Sequence, residues 1–267
     1  MASNGANQGG RIAVAGATGR VGRHVVEVLA ERGYLAVPIS RTDGVDVISG
    51  DGLAEALEGV EGVIDAATGP SPEQGAATEF FTAAAGNLQQ AGARAGAKRI
   101  VMVSIIACDR FSGGYGAAKV AHEQAALAGP LPVSILRAAQ FHEFVQQLLD
   151  WGRQGEVAYV PQMRTQLVAA RTVAETLVDL ATAAAEPVPA DAPIPEIAGP
   201  REESMVAMAR LLAGNRGESI QVEGVSDPSD PDHDVYVSGA LLPSAHATLA
   251  GPTFAHWVEE HLPVSRP

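Results

Sequence analysis

Two sets of residues in this chain have the types and spacing to do chemistry. The first is Tyr115 and Lys119, in the run Gly113-Gly-Tyr-Gly-Ala-Ala-Lys119. Positions i and i+4 of a helix share a face, so a phenol and an ammonium set four apart can address one pocket. A phenol, with an ordinary pKa of about 10, is a poor proton donor at neutrality. A neighbouring ammonium stabilises the phenolate and pulls that value down, which makes protonation of a carbonyl oxygen workable. The chain has only two lysines, Lys98 and Lys119, among its 18 basic residues, and a compact ammonium is the point charge such a pairing requires. A solvated helix face carrying both side chains by accident is the alternative.

The second set is the glycine loop Gly16-Ala-Thr-Gly19-Arg-Val-Gly22. Glycine spacing alone is a weak signal in a chain with 29 glycines. Its setting, between an apolar run and an amphipathic segment, makes it specific. The first glycine permits a tight turn, the second lets backbone approach a pyrophosphate, and the third lets helix pack on strand with its N-terminus toward the anion. The loop therefore implies a dinucleotide held at Gly16, Thr18, Gly19, Arg20, Val21 and Gly22. A carboxylate at the end of the second strand suits free ribose hydroxyls, whereas a cation suits a 2′-phosphate. After Val37-Pro-Ile-Ser40 stands Arg41, with no carboxylate before Asp43, and Arg20 is a second guanidinium. Guanidinium groups match phosphate, so NADP(H) is favoured over NAD(H). The competing reading makes Arg41 an ordinary surface residue.

The elements that must position these residues follow from the apolar pattern. Strands are expected at Arg11–Ala15, Leu35–Ile39, Val45–Ile48, Gly62–Ala66, Arg99–Val103 and Val133–Leu136, because runs buried on both faces are continuously apolar. Pro38 is a blemish if the second strand is central. Helices are expected over Arg20–Arg32, where Val21, Val25 and Leu29 share a face, and over Gly52–Leu57, Glu79–Ala95 and Tyr115–Leu127. The alternation predicts an α/β chain, a Rossmann-type doubly wound parallel sheet with a small C-terminal substrate-side lobe. In the second half, Phe144–Trp151, Val173–Ala185, Glu203–Leu212 and Thr253–His261 read as helices and Val157–Val160 as extended. Pro187–Pro195 is an Ala/Pro-rich loop and Asp227–Asp234 an acidic turn region. Residues 1–10 read as a disordered lead-in and 11–267 as one domain. Residues 11–140 form its cofactor core, and about 141–267 form mainly the substrate-side lobe with returning core elements.

The glycine loop, Arg41, Val63-Ile-Asp-Ala66 and Tyr115-x-x-x-Lys119 together resemble the short-chain dehydrogenase/reductase superfamily. With Leu136-Arg-Ala-Ala-Gln-Phe-His-Glu-Phe144 and Glu196-Ile-Ala-Gly-Pro200, the chain is similar over nearly its whole length to the atypical, NmrA-like NAD(P)-binding branch. The resemblance implies a nicotinamide cofactor, with Tyr115 as general acid and Lys119 as its activator and a partner of the nicotinamide ribose. It also places Ala66, Ala67 and Thr68 beside the cofactor ribose. Many members end the fifth strand with two hydroxyl residues, the second holding the substrate carbonyl. Here Val103-Ser104-Ile105-Ile106 puts Ile105 at that second position. Ser104 substitutes if the strand end is shifted, and Ser112 is another candidate. His142 falls where the branch lines its substrate pocket, with packing or surface as the alternative. Phe141, Phe144 and Trp151 form either an apolar substrate wall or core.

Composition excludes other classes. With 18 Lys+Arg against 31 Asp+Glu, a formal charge of −13 argues against a nucleic-acid partner. No run approaches the roughly 20 apolar residues of a membrane helix, and Met1–Gly10 lacks the basic and apolar parts of a signal peptide. One cysteine, Cys108, excludes an internal disulfide and fits a reducing cytoplasm. The histidines have no ligand-like clustering, so no metal site is expected. Arg-over-Lys usage and many small residues point to a high-GC bacterial source. The expectation is a cytoplasmic NADPH-dependent oxidoreductase acting on a carbonyl or quinone-like small molecule, with self-association left open. A non-catalytic NADP(H) sensor is the first alternative, and an isomerase or epimerase using the nicotinamide transiently is the second.

Overall fold

A computed structural model describes residues 9–184 and 192–262. The lead-in up to residue 8, and most of the Pro187–Pro195 loop, lie outside the described residues. In chain order the first elements are β1 (Arg11–Ala15), α1 (Gly22–Glu31), β2 (Leu35–Ile39), α2 (Leu53–Ala56), β3 (Gly62–Asp65), α3 (Gln74–Ala95), β4 (Ile100–Ile105), α4 (Gly114–Leu127) and β5 (Val133–Ala138). There follow α5 (His142–Trp151), β6 (Arg153–Gln154), β7 (Val157–Pro161), β8 (Arg164–Thr165), α6 (Ala170–Thr182), β9 (Glu196–Ala198) and β10 (Glu203–Ser204). The last are α7 (Met205–Asn215), β11 (Gln221–Val225), α8 (His233–Val237), β12 (Thr248–Leu249) and α9 (Phe254–His261).

Seven strands form a parallel Rossmann-like sheet in the order β12-β9-β5-β4-β3-β1-β2. β1 is buried from Ile12 to Ala15 because it is paired on both sides, with β2 and with β3. β2 has one partner among the described residues, which accounts for Pro38: a residue without an N–H is tolerated where no second ladder is needed. The strand expected at Val45–Ile48 does not form. Asp46 Oδ1 accepts the Ile48 N–H at 2.7 Å, and Asn87 Nδ2 donates to the Val47 and Ile48 carbonyls at 2.9 and 2.7 Å. Side chains thus take the backbone groups that a ladder would have used.

Boundaries shift where caps and register decide them. α3 starts at Gln74 rather than Glu79, since the Glu73 carboxylate caps it by accepting the Ala76 N–H. β4 runs on through Ile105, two residues past the expected end. Glu203–Ser204 pairs with β8 instead of opening a helix, and Ser204 caps α7 behind it. Thr253 likewise is the cap of α9, not its first turn.

The described residues divide into two compact units. Unit 1 holds those up to Ser104, Ala117–Leu136, and those from Val173 to Ile194; unit 2 holds Ile105–Gly116, Arg137–Thr172 and those from Pro195 onward. In unit 1, Ile39, Leu53, Leu57, Val63, Leu88 and Ile100 belong to one buried apolar cluster, each contributing roughly 1.5–3 kcal/mol. α1 buries Val25, Val28 and Leu29, an i, i+3, i+4 stripe. In unit 2, β11-β7-β6 form a three-stranded sheet against which α5 and α7 pack, and β8 pairs with β10.

Candidate active site

The strand order creates the site. β2 lies on one side of β1 and β3 on the other, which makes the carboxyl ends of β1 and β3 a topological switch point, where open α/β sheets take their ligands. The chain leaving β1 is the glycine loop, and the chain leaving β3 is Ala66-Ala-Thr68. They meet backbone to backbone. Gly16 sits at φ +73°, and a Cβ there would stand 2.7 Å from both the Ala66 carbonyl oxygen and Ala67 Cα. The Gly16 N–H donates to the Ile39 carbonyl at 3.0 Å and the Gly19 N–H to the Gly16 carbonyl at 2.8 Å. A Cβ on Gly22 would collide with the Gly16 carbonyl.

The same loop leaves a place for an anion. Val21, the cap of α1, offers no side-chain acceptor, and the first turn carries no acidic residue. The positive end of the helix therefore has no negative side chain of its own to compensate it. A pyrophosphate fits this cradle of glycine backbone and helix N-terminus. At the end of β2, Ser40 is buried and its hydroxyl lies 2.5 Å from Asp43 Oδ2. The first carboxylate beyond β2 is thus tied back to Ser40, while Arg41 and Arg20 are exposed.

Lys119, on α4, is only 4% exposed. Its ammonium donates to the Val103 carbonyl at 2.9 Å, lies 2.8 Å from His122 Nδ1, and sits 4.5 Å from the centre of the Phe81 ring. His122 Nε2 is 3.0 Å from Asp65 Oδ2, and Asp65 Oδ1 accepts the Ala67 N–H at 3.0 Å. Burial and then the Lys119 charge hold the His122 pKa below its usual value, against the pull of Asp65 and Glu123. Burial opposes ionisation of Asp65, but hydrogen bonds from His122 and Ala67 and the Lys119 charge keep its carboxyl below the usual range.

The sequence matches the model of the NAD(P)H-binding family over residues 16–184. The chain belongs to that family. Among solved structures, this NAD(P)H-binding chain is similar to three others of its fold at low identity. The Citrobacter sp. triphenylmethane reductase complexed with NADP(H) aligns with a TM-score of 0.64 at 16% identity, covering 94% of this chain and 100% of that one. The UDP-N-acetylglucosamine 4-epimerase from Bacillus cereus aligns with a TM-score of 0.63 at 19% identity, covering 94% and 95%. A short-chain dehydrogenase/reductase superfamily protein from Agrobacterium tumefaciens with bound NAD gives a TM-score of 0.59 at 17% identity, covering 96% and 92%. No curated protein matches the sequence. The fold is therefore that of short-chain dehydrogenase/reductase-like NAD(P)-binding proteins.

Every position expected at the cofactor of this NAD(P)H-binding chain falls within unit 1, from Gly16 to Gly22, at Arg41, at Ala66–Thr68 and at Lys119. Thr18 and Thr68 are exposed, and Ala67 is buried. Ser104 is buried inside β4. Tyr115 is half-buried, in the first turn of α4 and one turn before Lys119; by residue it belongs to unit 2. Ser112 is exposed, and its N–H donates to Asp232 Oδ1 at 2.7 Å.

The aromatic residues expected near the substrate differ in burial. His142 is 0% exposed, with Nε2 3.2 Å from the Leu167 carbonyl and its ring 5.4 Å from those of Phe254 and Trp257. It is part of the packing of unit 2. Phe141 and Phe144 are half-buried, and Trp151 is exposed. Asp65 and His122 were not among the expected site residues. Two signals pointed to them: a carboxylate closing an otherwise apolar strand, and a histidine three residues after the lysine on one helix face.

Proposed function

We propose that this chain is an NADP(H)-dependent oxidoreductase of the short-chain dehydrogenase/reductase type, akin to the NmrA-like branch, that reduces a carbonyl or quinone-like small molecule. The observation that carries the reading is Lys119, a buried ammonium held by two hydrogen-bond acceptors one helical turn beyond Tyr115. Gly16, Gly19 and Gly22 open the backbone to the pyrophosphate, with Thr18 and Val21 beside it. Ala66, Ala67 and Thr68 flank the ribose. Arg20 and Arg41 supply guanidinium groups for a 2′-phosphate, with Asp43 turned back onto Ser40. When bound, the nicotinamide supplies the hydride.

Tyr115 donates its phenolic proton to the substrate oxygen, and Lys119 holds the phenol in a range where that donation works near neutrality. Ser104, buried inside β4, or Ser112, exposed in the loop before α4, stands in for the second hydroxyl of the strand end, and Phe141 and Phe144 give the substrate apolar surface. His142, buried against Phe254 and Trp257, is assigned to packing instead. The acidic chain, 31 Asp+Glu against 18 Lys+Arg, suits a cytoplasmic enzyme with a small-molecule substrate. Likeness to a reductase crystallised with NADP(H) supports reduction. One observation favours a second reading, a non-catalytic NADP(H) sensor: Ile105 occupies the strand position where a second hydroxyl was expected.

NADPH oxidation by the purified chain, against a panel of quinones and ketones with NADH in parallel, separates the readings. Tyr115→Phe is expected to keep NADPH binding and lower kcat by about 100-fold or more. Arg41→Ala is expected to weaken NADPH by about 10- to 100-fold and leave NADH unchanged. NADPH binding without turnover on any substrate transfers the assignment to the sensor, and absence of dinucleotide binding overturns both.

A further inference from the structure

Hydrogen-bond accounting fixes the state of the buried group behind Lys119. An ammonium has three donors and no acceptor, so His122 Nδ1, 2.8 Å from Lys119 Nζ, must accept. The imidazole proton then sits on Nε2 and is donated to Asp65 Oδ2 at 3.0 Å. The result is a carboxylate, a neutral imidazole and an ammonium in line, at 2%, 1% and 4% exposure. The Phe81 ring stacks on the imidazole at 4.6 Å and 17° and also lies under the ammonium. Ionic groups buried this deeply stabilise a fold no better than apolar side chains of the same volume. Their arrangement is best accounted for by what it does to Lys119.

We propose that Asp65 and His122 are positioning residues that hold Lys119 as a fixed charge at the cofactor site, while Asp65 also anchors the loop beside the ribose through the Ala67 N–H. The proposal deepens the oxidoreductase reading and rests on it for the role of Lys119. A second proton on His122 would remove the acceptor and set one cation against another. The charged groups facing the imidazole are Lys119 and Glu123 from α4 and Asp65 from β3. Burial and the Lys119 charge keep that proton off at neutral pH.

The two-lysine composition makes the test direct, because lysine-selective 15N labelling of the full chain gives only two side-chain signals. At neutral pH the wild-type Lys119 Nζ signal is expected to be observable through slow exchange, unlike that of the exposed Lys98, and imidazole 15N shifts are expected to place the His122 proton on Nε2. His122→Leu should lose the Lys119 signal and bind NADPH about tenfold more weakly, the loss of one hydrogen bond to a charged group. His122→Asn, whose amide oxygen can occupy the Nδ1 position, should recover both. A proton on His122 Nδ1 in the wild type overturns the proposal. So does a folded His122→Leu variant with an unchanged Lys119 signal and unchanged NADPH affinity. Should the Lys119 signal respond as expected while no form binds NADPH, the positioning stands and the cofactor assignment falls.

Discussion

Two buried histidines sit in opposite surroundings. His122, in unit 1, has both ring nitrogens engaged, one by an ammonium and one by a carboxylate. His142, in unit 2, has a single backbone carbonyl at Nε2, aromatic rings around it, and a buried Nδ1 with no hydrogen-bond partner. Both have pKa values below the usual imidazole range, with burial as the first cause in each. The shared direction hides different physics. At His122 a neutral ring is what two charged neighbours require, so its protonation state belongs to a network. At His142 neutrality follows from burial, to which the His261 charge adds and which the Leu167 carbonyl offsets only in part. A buried histidine becomes a candidate for function through its partners, not through its burial.

The largest effect that separates the two regions is expected from Asp65→Ala. It leaves the Lys119 charge and the His122 N–H buried without their carboxylate, and breaking such a group from one end costs about 3–5 kcal/mol. Denaturant titration at neutral pH reads the loss as a lower midpoint. A midpoint within about 1 kcal/mol of wild type would mean that water reaches these groups and that the two histidines differ less than their partners indicate.

How far the sequence anticipated these regions follows the same division. The glycine loop was legible because its demands are local: Gly16 needs a positive φ and Gly22 needs to lie against Gly16, within one turn of chain. The sheet was legible because β1 is apolar throughout its buried stretch and β3 is apolar up to Asp65. The failed strand at Val45–Ile48 was not, since Asp46 and a distant Asn87 took its backbone groups. The link between Asp65 and His122 spans 57 positions and exists only once β3 and α4 are packed. His142 posed the same difficulty, because Phe254 and Trp257 reach it from the last helix.

The next effect, intermediate in size, is a pH dependence located at His142. Its pKa is lowered from the usual 6.5 to about 4 by burial. Between those values the unfolded chain binds a proton that the folded chain refuses, so stability is full above the unfolded value and falls as the pH drops toward 4. Between about pH 7 and about pH 5 this amounts to about 2 kcal/mol. Denaturant midpoints of wild type and His142→Leu at the two pH values isolate it, because other titrations cancel in the difference. Equal losses in the two proteins would show that His142 takes up its proton as readily folded as unfolded.

The smallest effect is expected from His142→Leu at neutral pH, and it sharpens the comparison most. The substitution removes an unsatisfied Nδ1, whose burial costs about 1–3 kcal/mol, and gives up the bond from Nε2 to the Leu167 carbonyl, worth about 1 kcal/mol. It also exchanges a flat ring packed on Phe254 and Trp257 for a branched side chain, a shape change that costs about 1–3 kcal/mol. These terms nearly cancel, so the variant should lie within about 1 kcal/mol of wild type by denaturant midpoint. A loss several times larger would mean that Nδ1 has a partner in solution, such as a bound water. His142 would then belong with His122, as a histidine held by its contacts on both sides.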